Sequence, residues 1–242
     1  MNYKINISYD GTEFSGWQTQ PHLRTVQSEL QNSIYAIFND KDIILYGSGR
    51  TDAGVHANRQ VANFIINTKM STSQIKNALN SKLSKDIYIN DCMIVNDDFN
   101  ARFSAVSRQY IYKICTEFNP LSRKYFWYLT YDLDKDMLVK CSEIIFGEHD
   151  FKNFCKTSSE KENNNCTVNK SKWIFDNEFV YFEISANRFL HHMVRMLVGT
   201  MIEVSKGSLT FEIFEQMIDC NQSKSRIITS PAHGLYLNKI IY

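Results

Sequence analysis

The chain has 242 residues, 43% of them hydrophobic and 13% aromatic, so apolar burial outweighs chain entropy without metals or disulfides, and intrinsic disorder is excluded. At about 150 residues per domain, this length fits one large domain or two modest ones. Lys and Arg number 27 against 26 Asp and Glu, a formal charge of +1, so bulk charge gives no warrant for a polyanion partner and any such contact must come from local placement.

Tyr3, Ile5, Ile7 and Tyr9 alternate with Lys4, Asn6 and Ser8, the period-2 pattern of a strand with one buried face. Asp10-Gly11-Thr12 turns the chain, and Thr25 is placed to cap a helix whose Val26, Leu30, Ile34 and Ile37 lie in one stripe. Residues 43–46 read as a buried strand. They lead into Gly47-Ser48-Gly49-Arg50-Thr51-Asp52-Ala53-Gly54, a loop by its glycines and small polar residues, and the apolar run 61–66 resumes the sheet. Ser71-Thr72-Ser73 opens a helix carrying Ile75, Leu79 and Leu83, with short strands expected over 87–89 and 92–95. The polar Asn96-Asp97-Asp98 stretch is the expected boundary between an N-terminal α/β domain (1–98) and a C-terminal α/β domain (99–242).

In the second half, Tyr110, Tyr112 and Ile114 share one strand face, and Asp134 caps a helix containing Met137, Cys141, Ile144 and Ile145. Residues 156–170 read as a polar loop, 172–175 and 179–186 as strands, and 189–204 and 211–220 as helices, before strand-like pieces at 235–237 and 240–242. The sum is an α+β protein with helices on a mostly antiparallel sheet. Six cysteines with no CxxC pair are expected to be reduced and mostly buried. No window approaches the roughly 20 apolar residues of a membrane span, and the N-terminus lacks an apolar signal core, so a cytoplasmic location is expected.

Three segments are candidates for chemistry. The loop at 47–56 puts the Arg50 guanidinium and the Asp52 carboxylate two positions apart between apolar strands; the alternative is an Asx turn beside a solvated charge. It carries neither GxxxxGK[ST] nor GxGxxG. Arg188, His191, His192 and Arg195 fall three or four residues apart and are expected to share a helix face, suited to an anion or a carboxylate. Adjacent histidines without HExxH spacing do not make a metal site, and none is expected. Arg102 and Phe103, then Arg108, Tyr110, Tyr112 and Lys113, interleave basic and aromatic groups as RNA-binding surfaces do, although both tyrosines equally suit the core of a half-buried strand.

Tyr9-Asp-Gly-Thr-Glu-Phe-Ser-Gly-Trp-Gln-Thr-Gln20, Gly49-Arg-Thr-Asp-Ala-Gly-Val-His56 and Phe189-Leu-His-His-Met-Val-Arg195 resemble, in order and spacing, the TruA family of tRNA pseudouridine synthases. The segments 101–105, 108–112 and 231–237 extend the resemblance over nearly the whole chain. It implies two α/β domains of similar topology around a central sheet with a cleft between them, the pseudouridine synthase fold, in a homodimer that binds tRNA and neither DNA nor membrane. The implied activity isomerises uridine to pseudouridine at positions 38, 39 and 40 of the anticodon stem-loop without a cofactor. By the same resemblance Asp52 is the nucleophile, Arg195 its ion-pair partner, Tyr110 the residue that stacks on the target base, with a possible part in removing the C5 proton, and Arg50 the promoter of base flipping. Leu235 then lines the uracil pocket, and His191, His192 and Arg188 contact RNA. Asn100 and Ala57-Asn58-Arg59 depart from the usual family pattern, and a ribosomal RNA stem-loop is the alternative substrate. A non-catalytic RNA-binding protein on the same scaffold is the alternative from another class.

Overall fold

In chain order, the computed structural model contains β1 (Asn2–Tyr9), α1 (Val26–Phe38), β2 (Tyr46–Gly47), β3 (His56–Ile65), α2 (Thr72–Lys82), β4 (Ile87–Val95) and β5 (Ser107–Cys115). There follow β6 (Trp127–Tyr128), α3 (Lys135–Ile144), β7 (Gly147–Asp150), β8 (Asn165–Asp176), β9 (Phe179–Ala186), α4 (Met193–Ser205), α5 (Phe211–Ile218) and β10 (Leu235–Ile241). The structure describes residues 1–156, 163–219 and 227–242. Contacts divide the chain into two compact units, Met1–Val106 with Tyr236–Tyr242, and Ser107–Leu235.

The strands of the first unit run β4-β1-β3-β10, with β2 on β3. β1 is antiparallel to both neighbours and buries Tyr3, Ile5, Ile7 and Tyr9, the face its alternation predicts. The register between β1 and β4 shifts at Asn6 and Ile7, so the two short strands expected at 87–89 and 92–95 are one strand with an irregularity at Asn90. Thr25 caps α1 through a capping box with Ser28, and Ser71 caps α2 through one with Gln74, which satisfies the first free amides of each helix. The polar 96–98 stretch lies inside this unit: Asn2 Nδ2 donates to the Asn96 and Phe99 carbonyls at 3.0 and 2.8 Å. The last strand returns here because β10 runs parallel to β3, pairing Tyr236 with His56, while the Tyr242 hydroxyl donates to the Ala101 carbonyl at 2.8 Å. Asn100 forms a local turn, its Oδ1 accepting from the amides of Arg102 and Phe103.

Two readings of this unit change. The expected buried strand at 43–46 shrinks to β2, because pairing with β3 covers Tyr46 and Gly47 while the carbonyls of Ile43 and Leu45 accept from the side chains of Gln31 and Gln27 on α1; Ile43 and Leu45 are buried, but Ile44 between them is 56% exposed. β3 begins at His56 rather than 61, its first half being polar in sequence but paired with β1 and β10.

In the second unit the strands run β5-β9-β8-β7, antiparallel throughout, with β6 parallel on β5. Tyr112, Phe182, Ile184, Leu138, Leu197, Met201 and Phe214 are fully buried. Asp134 caps α3 and Thr210 caps α5. The loop expected over 156–170 gives way at Asn165 to β8, where buried Cys166 and Val168 alternate with outward residues; positions 157–162 of that loop lie outside the described residues. α5 ends at Ile218, and Cys220, expected at its end, also lies outside them. The remaining five cysteines are buried, and burial pushes the Cys141 thiol up to about 12, away from thiolate chemistry. Among the described residues no helix is long and apolar enough to cross a membrane.

Candidate active site

In the first unit, the candidate loop leaves β2 at Gly47 and enters β3 at His56. Burial alternates along it: Arg50 is exposed, Thr51 is 7% exposed, Asp52 is intermediate. Alternation arises because the residues flanking Arg50 are tied into the unit. Gln60, a fully buried amide on β3, donates from Nε2 to the Gly49 carbonyl at 2.8 Å and accepts the Gly49 amide at 3.4 Å. The Tyr9 hydroxyl, at the end of β1, is hydrogen-bonded to Thr51 Oγ1 at 2.8 Å. Burial raises the Tyr9 pKa and outweighs its hydrogen bond to Thr51, so the group is a neutral phenol.

The loop backbone is gripped as well. The Trp17 amide donates to the Thr51 carbonyl at 3.1 Å, and the Gly54 amide to the Phe14 carbonyl at 3.2 Å. This approach needs glycine at 16, where φ is +92° and a Cβ would lie 2.6 Å from the Thr51 oxygen. At the far end, the Gly11 amide donates to His56 Nδ1 at 3.0 Å; the ring is 2% exposed and stacks on Tyr236 with centroids 4.6 Å apart. A carboxylate and a guanidinium are thus presented on a loop whose intervening residue is anchored on both side chain and carbonyl.

The other predicted residues belong to the second unit. Tyr110 and Tyr112 on β5 are both buried, at 8% and 0% exposure. The Tyr110 ring meets Phe189 edge-on at 5.2 Å, and the Tyr112 hydroxyl donates to the Pro231 carbonyl at 2.7 Å. Arg195, in the first turn of α4, is locked reciprocally to Ser230: its Nε donates to the Ser230 carbonyl at 2.8 Å and its carbonyl accepts the Ser230 amide at 3.1 Å. Leu235 is 5% exposed and follows the short helical turn at Ala232–Gly234.

One expectation about these residues is corrected. Arg188, His191 and His192 do not share a helix face with Arg195, because α4 starts at Met193 and not at Phe189. The chain leaving β9 is first tied to β8, with Asn187 Oδ1 accepting the amides of Thr167 and Arg188. His192 then takes the left-handed conformation, φ 67°, as the residue before the helix. The His191 and His192 rings meet edge-on at 4.3 Å, and the Arg188 guanidinium donates to the Asn163 carbonyl at 3.1 Å.

Tyr9, Gln60, His56 and Ser230 received no role from the sequence. Each of three had a signal in the sequence all the same: Tyr9 and His56 stand at the ends of two family-like segments, and Gln60 is a polar amide immediately before an apolar run.

The profile of the family described as tRNA pseudouridine synthase matches residues 5–104 and 143–242. The chain is 38% identical over 246 positions to a tRNA pseudouridine synthase A of Brachyspira hyodysenteriae, covering 100% of this chain and 98% of that protein. It is 40% identical over 246 positions to a tRNA pseudouridine synthase A of Dictyoglomus thermophilum, covering 100% of both. A solved chain from a Cbf5-Nop10-Gar1 complex is similar at a TM-score of 0.35 and 10% identity, over 82% of this chain and 53% of that one.

Proposed function

The chain belongs to the tRNA pseudouridine synthase family and is an isomerase that forms pseudouridine in tRNA, and from that premise we propose that it acts on uridines 38, 39 and 40 of the anticodon stem-loop with Asp52 as nucleophile. The reaction breaks the C1'–N1 glycosidic bond, rotates the uracil and rejoins it through C5, with no net redox change or hydrolysis. A carboxylate nucleophile divides this into easier steps, and it must stay ionised beside a base, where enclosure disfavours charge and a cation offsets that penalty. Arg195 has the offsetting role, and its lock on Ser230 supports a guanidinium with a fixed direction.

A stacked uridine cannot be reached, so the base is flipped at a cost of a few kcal/mol, and Arg50 holds the flipped state. Tyr110 stacks on the uracil, Leu235 lines its pocket, and Arg188, His191 and His192 contact the RNA backbone. The reading extends to a cytoplasmic homodimer with no DNA partner. The observation that carries it is the loop at 47–56, where Asp52 and the exposed Arg50 flank an anchored Thr51.

The test is tritium release from C5-tritiated uridine in unmodified tRNA by wild type and Asp52→Ala, followed by mapping of the modified positions. Release by wild type alone, at 38 to 40, is expected. Release by Asp52→Ala would remove the nucleophile assignment, and modification of ribosomal RNA transcripts instead of tRNA would overturn the substrate.

A further inference from the structure

Gln60 is fully buried on β3 beside apolar Val61, Ala62 and Phe64, where an amide is costly unless every polar atom is paired. Its pairing explains its presence. Oε1 accepts the amides of Gly49 at 3.4 Å and Val61 at 3.1 Å, and Nε2 donates to the Gly49 carbonyl at 2.8 Å. Tyr9 holds Thr51 Oγ1 at 2.8 Å. Two strands therefore reach the residues on either side of Arg50, one through an amide and one through a phenol. Apolar side chains of the same volume would fill the space, but dispersion is non-directional, whereas hydrogen bonds fix the peptide planes they engage.

We propose that Tyr9, Gln60 and Thr51 form a positioning network that sets the directions of Arg50 and Asp52, so that a buried phenol governs turnover through the loop backbone. This rests on the reading of Asp52 and Arg50 as the reacting and base-flipping groups. Thr51 is the junction: its hydroxyl is held by Tyr9 and its carbonyl by the Trp17 amide, leaving the peptide entering Asp52 little freedom to rotate. Gly49 is held on both its amide and carbonyl by one side chain, so the peptide entering Arg50 is restrained as well. Neither Tyr9 nor Gln60 needs to touch RNA to act in this way.

The experiment measures kcat and KM for tritium release from tRNA with the full chain carrying Tyr9→Phe, Thr51→Val, Thr51→Ser, or Tyr9→Phe with Thr51→Val, folding being checked by thermal melting. Tyr9→Phe and Thr51→Val are each expected to lower kcat by about tenfold or more with KM within about twofold, since small misplacement of a reacting group costs turnover rather than binding. Thr51→Ser keeps the hydroxyl and restores most of kcat, and the double variant is no worse than the weaker single, because both remove the same bond. Full kcat in folded Tyr9→Phe and Thr51→Val, or a loss that Thr51→Ser does not rescue, overturns the network. Asp52→Ala run alongside separates the two readings: if it is inactive while Tyr9→Phe is fully active, only positioning fails; if it is active, the premise fails.

Discussion

Gly11→Ala isolates the packing behind the candidate loop. Gly11 is not among the residues with positive φ, so alanine has no backbone penalty there and the cost is steric. An added Cβ would lie 2.0 Å from the Val55 oxygen and 2.5 Å from its carbonyl carbon, where contacts under 3.0 Å essentially never occur. Relief needs a shift of about 1 Å, and both surfaces are backbone, so no rotamer change supplies it. The turn at 10–12 is held by the Gly11 amide on His56 and by Asp10 Oδ1 accepting the Thr12 amide, and Val55 is held by the Asp52 carbonyl. Overpacking of this kind costs about 1–3 kcal/mol. At about 2–4 °C per kcal/mol for a chain of this size, melting falls by about 2–12 °C. A shift of about 1 Å so near Asp52 also lowers turnover by about 10²-fold. Scanning calorimetry and tritium release measure the two effects, with Gly207→Ala as the comparison: its φ of +75° strains alanine, but no atom lies within 4 Å of the new Cβ, so stability falls and kcat does not. Wild-type melting and turnover in Gly11→Ala, or an equal loss of kcat in Gly207→Ala, would refute this reasoning.

Thr25→Ala removes the capping box of α1 and is expected to cost about 1 kcal/mol in a denaturant titration while leaving kcat unchanged. Burial alone would raise the Asp86 carboxyl, but hydrogen bonds from Arg24 and Ser84 outweigh it and hold the group below the ordinary carboxylate value. Because the folded form is the stronger acid, this contribution is present above the unfolded value of about 3.9 and lost as pH falls through the lower folded one. The stability gap between wild type and Asp86→Asn should therefore be present at neutral pH and close below about pH 4. With the two side chains 37% and 26% exposed, the gap is about 1 kcal/mol or less, read from denaturant midpoints across pH. Gly199→Ala places a Cβ 2.2 Å from the Ile228 oxygen and 3.0 Å from the Ser230 nitrogen, so it should cost about 1–3 kcal/mol in thermal melts. Because Ser230 holds Arg195, kcat should fall with stability, and a destabilised variant with full kcat would argue against that lock.

The sequence alone determined what short-range chemistry decides. Alternation in β1 dictates its buried face, Thr25, Ser71 and Asp134 cap their helices through contacts three residues away, and the glycines and small polar residues around Arg50 and Asp52 mark a loop. The candidate loop was legible for the same reason, since its residues are contiguous. Tertiary structure decided what depends on partners distant in the chain. The start of α4 moved to Met193 because Asn187 pairs with Thr167, a competitor that helical spacing from 188 to 195 cannot reveal. The polar first half of β3 became a strand because β1 and β10 supply its hydrogen bonds. The sequence could not assign Tyr9 and Gln60 a positioning role, because a phenol or an amide acquires its role from what it meets, and these two meet Thr51 and Gly49 only when β1 and β3 pair. Periodicity and capping are written within a few residues; hydrogen-bond partnership between distant segments is settled only when the chain closes on itself.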